Sequence, residues 1–178
     1  MRLLLAFALV FIAGCTGKPS LDDASLSERQ LNLEEFFAGK TVAYGQFQDI
    51  FGTVRRRFTV EVDGQWDGRV LVLTEDFVYE DGSTEQRVWT LTKTGPGSWQ
   101  GAAPGTIGKA TGQERGDTFN WKYTINLPIP SADGATETIR ATFDDWMWLM
   151  ADDRLFNRAY IQRYGVDIGD VAIWFEKP

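Results

Sequence analysis

The sequence predicts an all-β fold whose antiparallel strands follow one another as a meander and close into a sandwich or barrel. Three observations predict it. After Gly39 turn signals recur about every eight to fifteen residues, among them Gly52, Asp63-Gly64, Asp81-Gly82, Gly95-Pro96-Gly97, Ala132-Asp133-Gly134 and Gly165. Between them apolar and polar residues alternate with period two, and no helical period intervenes. Aromatic residues make up 13% of the chain, with seven Trp, which suits a β-rich interior or an apolar cavity.

The first element is not part of the fold. "MRLLLAFALVFIAGC" has one basic residue, Arg2, then an apolar run from Leu3 to Ala13 that ends in small residues. This is a secretory signal pattern, too short to span a bilayer as a helix. "IAGC" at 12–15 resembles the bacterial lipobox, which implies acylation of Cys15 and cleavage after Gly14. No other Cys is present to pair with it, as an oxidising compartment would require. Residues 1–14 are therefore expected to be a lipoprotein signal peptide, 15–27 a lipidated cysteine and tether, and 28–178 the folded domain. Several acyl chains anchor stably where one does so only marginally. By resemblance to the sorting rule of Gram-negative lipoproteins, Thr16 in place of Asp favours the periplasmic face of the outer membrane. Loss of Arg2 takes one of 18 basic residues and none of the 25 acidic ones, moving the formal charge from −7 to −8. That argues against nucleic acid and anionic lipid surfaces as partners.

A short helix is expected next. Leu31, Leu33, Phe36 and Phe37 form its apolar stripe, Ser27 with Gln30 or Asn32 with Glu35 has capping-box spacing, and Gly39 stops it. The stripe is expected to cover one end of the core. Strands are predicted at about 41–48, 54–63, 69–80, 84–94, 98–101, 106–114, 118–127, 136–150, 154–164 and 169–176.

Alternation assigns their faces, because successive side chains point to opposite sides. "TFNWKYTINL" puts Phe119, Trp121, Tyr123, Ile125 and Leu127 on a dry face. In "VRRRFTVEV" the dry set is Val54, Phe58, Val60 and Val62; Arg56 shares its parity, while Arg55 and Arg57 point to water. Glu75 joins Leu71, Leu73, Phe77 and Tyr79. If residues 81–83 form the turn, Phe77 lies opposite Arg87 and Glu75 opposite Trp89. Asp145 joins Ile139, Ala141, Phe143, Met147 and Leu149, which leaves Trp146 and Trp148 facing out unless a bulge shifts the phase. Either Asn157 or Arg158 must point inward, and Asp152-Asp153 reads as a turn.

The segments "FFAGKTVAYGQF", "LTEDFVYEDGSTEQRVWTL", "GKATG", "FNWKYTINLP" and "DDWMWLMADDRLFNRAYIQRYGVDIGDVAIWFEK" resemble a family of proteobacterial lipoproteins known as domain of unknown function 3833. The resemblance covers the chain after about Leu31. It implies a lipocalin-like (calycin) up-and-down barrel of about eight to ten strands in the cell envelope, and it carries over no activity. Gly39-Lys40-Thr41 departs from the Gly-x-Trp signature of lipocalins.

Absence of His, with Cys15 given to lipid, removes the usual base, nucleophile partner and transition-metal ligands. The Gly-rich stretches do not lead from a strand into a helix as a phosphate loop does, and the acidic pairs lack calcium-loop spacing. No cofactor and no enzymatic activity are expected, although Glu75 and Asp145 are the pair a calycin-type enzyme acting on a lipid or isoprenoid would use.

The interior charges support two readings. In one, Glu75, Arg87, Arg56 and Asp145 form a closed network in a packed barrel that serves as an envelope interaction or assembly protein, with outward Trp146 and Trp148 as its surface anchor. In the other, Phe77, Tyr79, Trp89, Trp121 and Tyr123 wall a cavity, and Arg87 or Arg56 meets a carboxylate or phosphate head group. The second is the reading taken: a lipid-anchored periplasmic protein that binds or carries a small amphipathic lipid of fatty acid or lysophospholipid type.

Overall fold

The computed structural model describes residues 17–130 and 136–178, so the signal segment, Cys15 and the turn at 132–134 lie outside the described residues. After a short helix, α1 (Leu33–Phe37), come β1 (Gly39–Asp49), β2 (Val54–Trp66), β3 (Val70–Tyr79), β4 (Thr84–Gly95) and β5 (Ser98–Ala102). They are followed by β6 (Ala110–Arg115), β7 (Thr118–Pro130), β8 (Thr136–Ala151), β9 (Arg154–Arg163) and β10 (Val166–Glu176). Each strand pairs antiparallel with its sequence neighbours, and β1 pairs with β10, closing a barrel. Closure leaves no open sheet edge, and the expected all-β, lipocalin-like barrel with a short N-terminal helix is what the chain forms.

All ten expected strands are present, with shifted bounds. β6 starts at Ala110 rather than 106, and Thr106 makes only an isolated bridge to Ile125. Residues 103–109 run instead as a loop against β7, held by Ile107 N–H to Thr124 O and Asn126 N–H to Gly105 O.

Helix α1 closes one end. Leu31, Leu33, Phe36 and Phe37 are all buried, each stabilising by about 2 kcal/mol as an upper estimate. Asn32 occupies the N-cap but its side chain makes no cap to the backbone; it donates to Glu35 Oε2 at 3.0 Å, so the expected capping box is a side-chain pair. Glu114 supplies the partner instead, accepting from Leu33 N–H at 2.8 Å and Trp99 Nε1 at 2.9 Å. The helix presses so close to β2 that a Cβ on Gly64 would lie 1.7 Å from the Phe37 carbonyl oxygen. Only glycine fits there.

The turns β1–β2, β3–β4 and β9–β10 surround the opposite end, the mouth. β3 and β4 meet in a register two residues from the expected one: Glu75 faces Arg87, Phe77 faces Glu85 and Leu73 faces Trp89. The reason is the turn. It spans 80–82, with Gly82 at φ 79° in the left-handed position of a three-residue hairpin loop and Asp81 Oδ1 accepting from Ser83 N–H. Because the shift is two residues, every side chain keeps its face.

Near the mouth a bulge between Phe47 and Gln48 disturbs β1–β2, and Val54 stands exposed rather than in the dry set. Arg55, expected in water, is exposed but lines the mouth and pairs with Asp49 at 2.6 Å.

The polar segment expected to be a tether is docked on the barrel. Lys18 bonds Asp167 of β10 at 2.7 Å, while Asp22 meets Arg115 and Ser27 Oγ donates to Asp117 at the other end. Trp146 does face outward as predicted, since the β8 bulge lies later, between Leu149 and Ala151, yet it is only 3% exposed. It is therefore no surface anchor, and Trp148, half-buried, stacks between Trp146 and Phe156.

Candidate functional site

Inside the barrel lies a hollow of about 570 Å³, running from Leu33 and Phe37 of the helix end to Arg55, Arg56 and Asp81 at the mouth. The hollow favours the cavity reading over the packed one. Small residues leave the room: Ala141 and Ala159 face it from β8 and β9. On β6, a Cβ at Gly112 would come within 2.5 Å of both the Phe119 and Trp121 rings.

All nine sequence-predicted pocket residues line this space: Arg56, Glu75, Phe77, Tyr79, Arg87, Trp89, Trp121, Tyr123 and Asp145. The aromatic wall falls into two groups of touching rings. Trp89 meets Tyr123 edge-on with centroids 4.9 Å apart, Tyr123 stacks on Phe143 at 4.9 Å, and Phe77 stacks on Tyr79 at 6.0 Å. At the inward choice left open in β9, Asn157 is the buried one and Arg158 is exposed.

The charges do not form one closed network. Arg87 Nη2 donates to Glu85 Oε1 at 2.6 Å, and Tyr79 OH donates to Glu85 Oε2 at 2.8 Å. Glu85 was missed by the sequence reading, although it shares the parity that placed Arg87 and Trp89 inside. Arg56 lays its guanidinium 3.3 Å from the Tyr79 ring centroid and reaches Ser83 Oγ at 3.0 Å, so it belongs to the mouth.

Glu75, directly across from Arg87, receives no hydrogen bond among the described residues. Burial raises its carboxyl to about 7, with the Arg87 charge opposing and the Glu85 charge adding. Asp145 is held well above the usual carboxylate range, chiefly by burial and then by Asp144 and Glu75, and its Oδ1 is buried without a partner. Burial lifts Tyr79 to about 12, helped by its bond to Glu85. For Glu85 burial pulls upward, but Arg87 and the Tyr79 hydroxyl outweigh it and keep the carboxyl low.

The wall thus offers one ion pair with a spare side on Arg87, one carboxyl poised to gain or lose a proton near neutrality, and a second, buried carboxyl shifted toward its protonated form. That set can bind a polar head and move a proton on binding. No cluster of metal-ligating side chains occurs among the described residues.

A family model described as protein of unknown function (DUF3833) matches residues 9–177. No functionally curated protein matches the chain significantly. Among solved structures, an S-type phycobiliprotein lyase from Guillardia theta is similar over 83% of this chain and 94% of its own, at 11% identity and a TM-score of 0.56. A protein of unknown function of the DUF3598 family from Nostoc punctiforme is similar over 92% of this chain but 53% of its own, at 12% identity and a TM-score of 0.56. At such identities the likeness concerns the fold.

Proposed function

The chain belongs to the DUF3833 family of proteins of unknown function, and from the contents of its hollow we propose that it binds or carries a small single-chain amphipathic lipid of fatty acid or lysophospholipid type. One observation carries the reading. A hollow of about 570 Å³, within the range that holds one small ligand, is walled by aromatic and aliphatic side chains and has Arg87, Glu85 and Glu75 at one level of the wall. The hydrocarbon tail lies along Phe77, Trp89, Trp121, Tyr123 and Phe143, and the head group meets the free side of the Arg87 fork. Glu75 and Asp145, both shifted toward their protonated forms by burial, add hydrogen-bond donors to an anionic head. With acylated Cys15 holding the domain on the periplasmic face of the outer membrane, the protein works as a lipid binder in the envelope, not as an enzyme.

Trp89 and Trp121 report occupancy by fluorescence. Titration with oleate and with oleyl alcohol, in wild type and Arg87→Ala, tests the assignment. Arg87→Ala is expected to weaken oleate binding by about tenfold, ~1.4 kcal/mol, and oleyl alcohol binding much less. Equal losses would reject the head-group role of Arg87, and no binding of either would reject the lipid reading.

A further inference from the structure

Nine large hydrophobic side chains stand exposed among the described residues, and their placement is uneven. Ile50, Phe51 and Val54 lie in or beside the β1–β2 turn, and Tyr164 and Val166 in or beside the β9–β10 turn. Phe51 is 84% exposed and Tyr164 87%. β1 pairs with β10 up to Asp49 opposite Gly169, so these two turns are neighbours and their side chains form one apolar rim on one side of the mouth. A water-facing turn has no use for such a group, and contiguous exposed apolar side chains mark a contact surface.

The docked N-terminal segment says what that contact is. Lys18 is fixed to Asp167, the residue after Val166, by a 2.7 Å ion pair, and its ammonium lies over the Tyr160 ring. Cys15 is three residues before Lys18, a reach of at most about 11 Å. The expected acyl chains therefore leave the protein beside the rim and not at the helix-plugged end.

We propose that the mouth of the barrel sits on the lipid bilayer, with Ile50, Phe51, Tyr164 and Val166 inserted at its surface, so that the hollow opens toward lipid. Apolar insertion and the anchor supply the contact, which suits a chain whose net charge is negative. A tail then passes from the membrane into the hollow by the Arg56 and Tyr79 mouth without crossing bulk water. The proposal rests on acylation of Cys15 for the anchor, while the rim stands on its own geometry.

The full-length lipoprotein is reconstituted into vesicles of phosphatidylcholine and phosphatidylethanolamine. A bimane label is placed through Phe51→Cys or Tyr164→Cys at the mouth, or through Arg69→Cys at the β2–β3 turn of the opposite end, with circular dichroism confirming each fold. Doxyl lipids are expected to quench the labels at 51 and 164 several-fold more than the label at 69. Equal quenching at the two ends, or stronger quenching at 69, overturns the orientation. The mass of the N-terminal peptide reads acylation separately. An unmodified Cys15 removes the anchor while the quenching comparison still decides the mouth, and an acylated protein unquenched at 51 and 164 keeps its anchor and loses the proposal.

Discussion

Replacing Glu75 by Gln is expected to make the barrel more stable in alkaline solution and to change little in acid. In the folded chain the Glu75 carboxyl is raised from 4.5 to about 7, mainly by burial. The folded state therefore holds a proton that the unfolded state has already lost between these values. Stability falls as pH rises through that window, and the full penalty is present above pH 7. A difference of 2.5 units corresponds to about 3 kcal/mol. Gln keeps the shape and carries no charge, so Glu75→Gln should gain up to about that amount at pH 8.5 and almost nothing at pH 4.5. Urea unfolding of both proteins across that range measures it, and comparing variant with wild type cancels the other titrating groups except Asp145, whose carboxyl is pushed up by burial and Asp144 and then by Glu75. A variant less stable than wild type at pH 8.5 would refute the reasoning, since it would mean that the Glu75 charge is well solvated or tightly paired with Arg87.

Oleate binding should weaken as pH rises above 7, approaching tenfold per unit if the bound carboxylate holds the Glu75 proton, whereas oleyl alcohol binding stays flat; calorimetric titration at pH 6.5, 7.5 and 8.5 reads the difference. Arg87→Ala should cost about 3 kcal/mol in urea unfolding, because it strands Glu85 in the wall without its partner. Gly64→Ala should destabilise by about 3 kcal/mol, since its Cβ drives α1 off the barrel end; a thermal midpoint equal to wild type would contradict the close approach to Phe37.

Much of this was legible in the residues because a strand has only two faces. Parity placed Glu75, Trp121, Tyr123 and Asp145 inside, and Arg87 with them given a three-residue turn; the same rule extended two residues back along β4 would have placed Glu85 there too. Register was less legible. It depends on which residue takes the left-handed turn position, and Glu80-Asp81-Gly82 and Asp81-Gly82-Ser83 both contain the glycine that can. The burial of outward-facing Trp146 was not legible, and neither was the docking of the polar segment, which is pinned to Asp167 and Asp117, far away in sequence. Hollowness left a faint trace: Ala141 and Ala159 are small residues at inward positions, but a sum of volumes around a closed ring is set by which strands face each other, not by any one strand.

The most direct measurement is native mass spectrometry of the full-length protein after incubation with oleate, alongside the variant Ala141→Trp, which fills the hollow. The wild type should carry one oleate per chain, more at pH 6.5 than at pH 8.5, and the filled variant none. A wild type that stays empty, or a filled variant that binds as well, would contradict a lipid held inside the barrel.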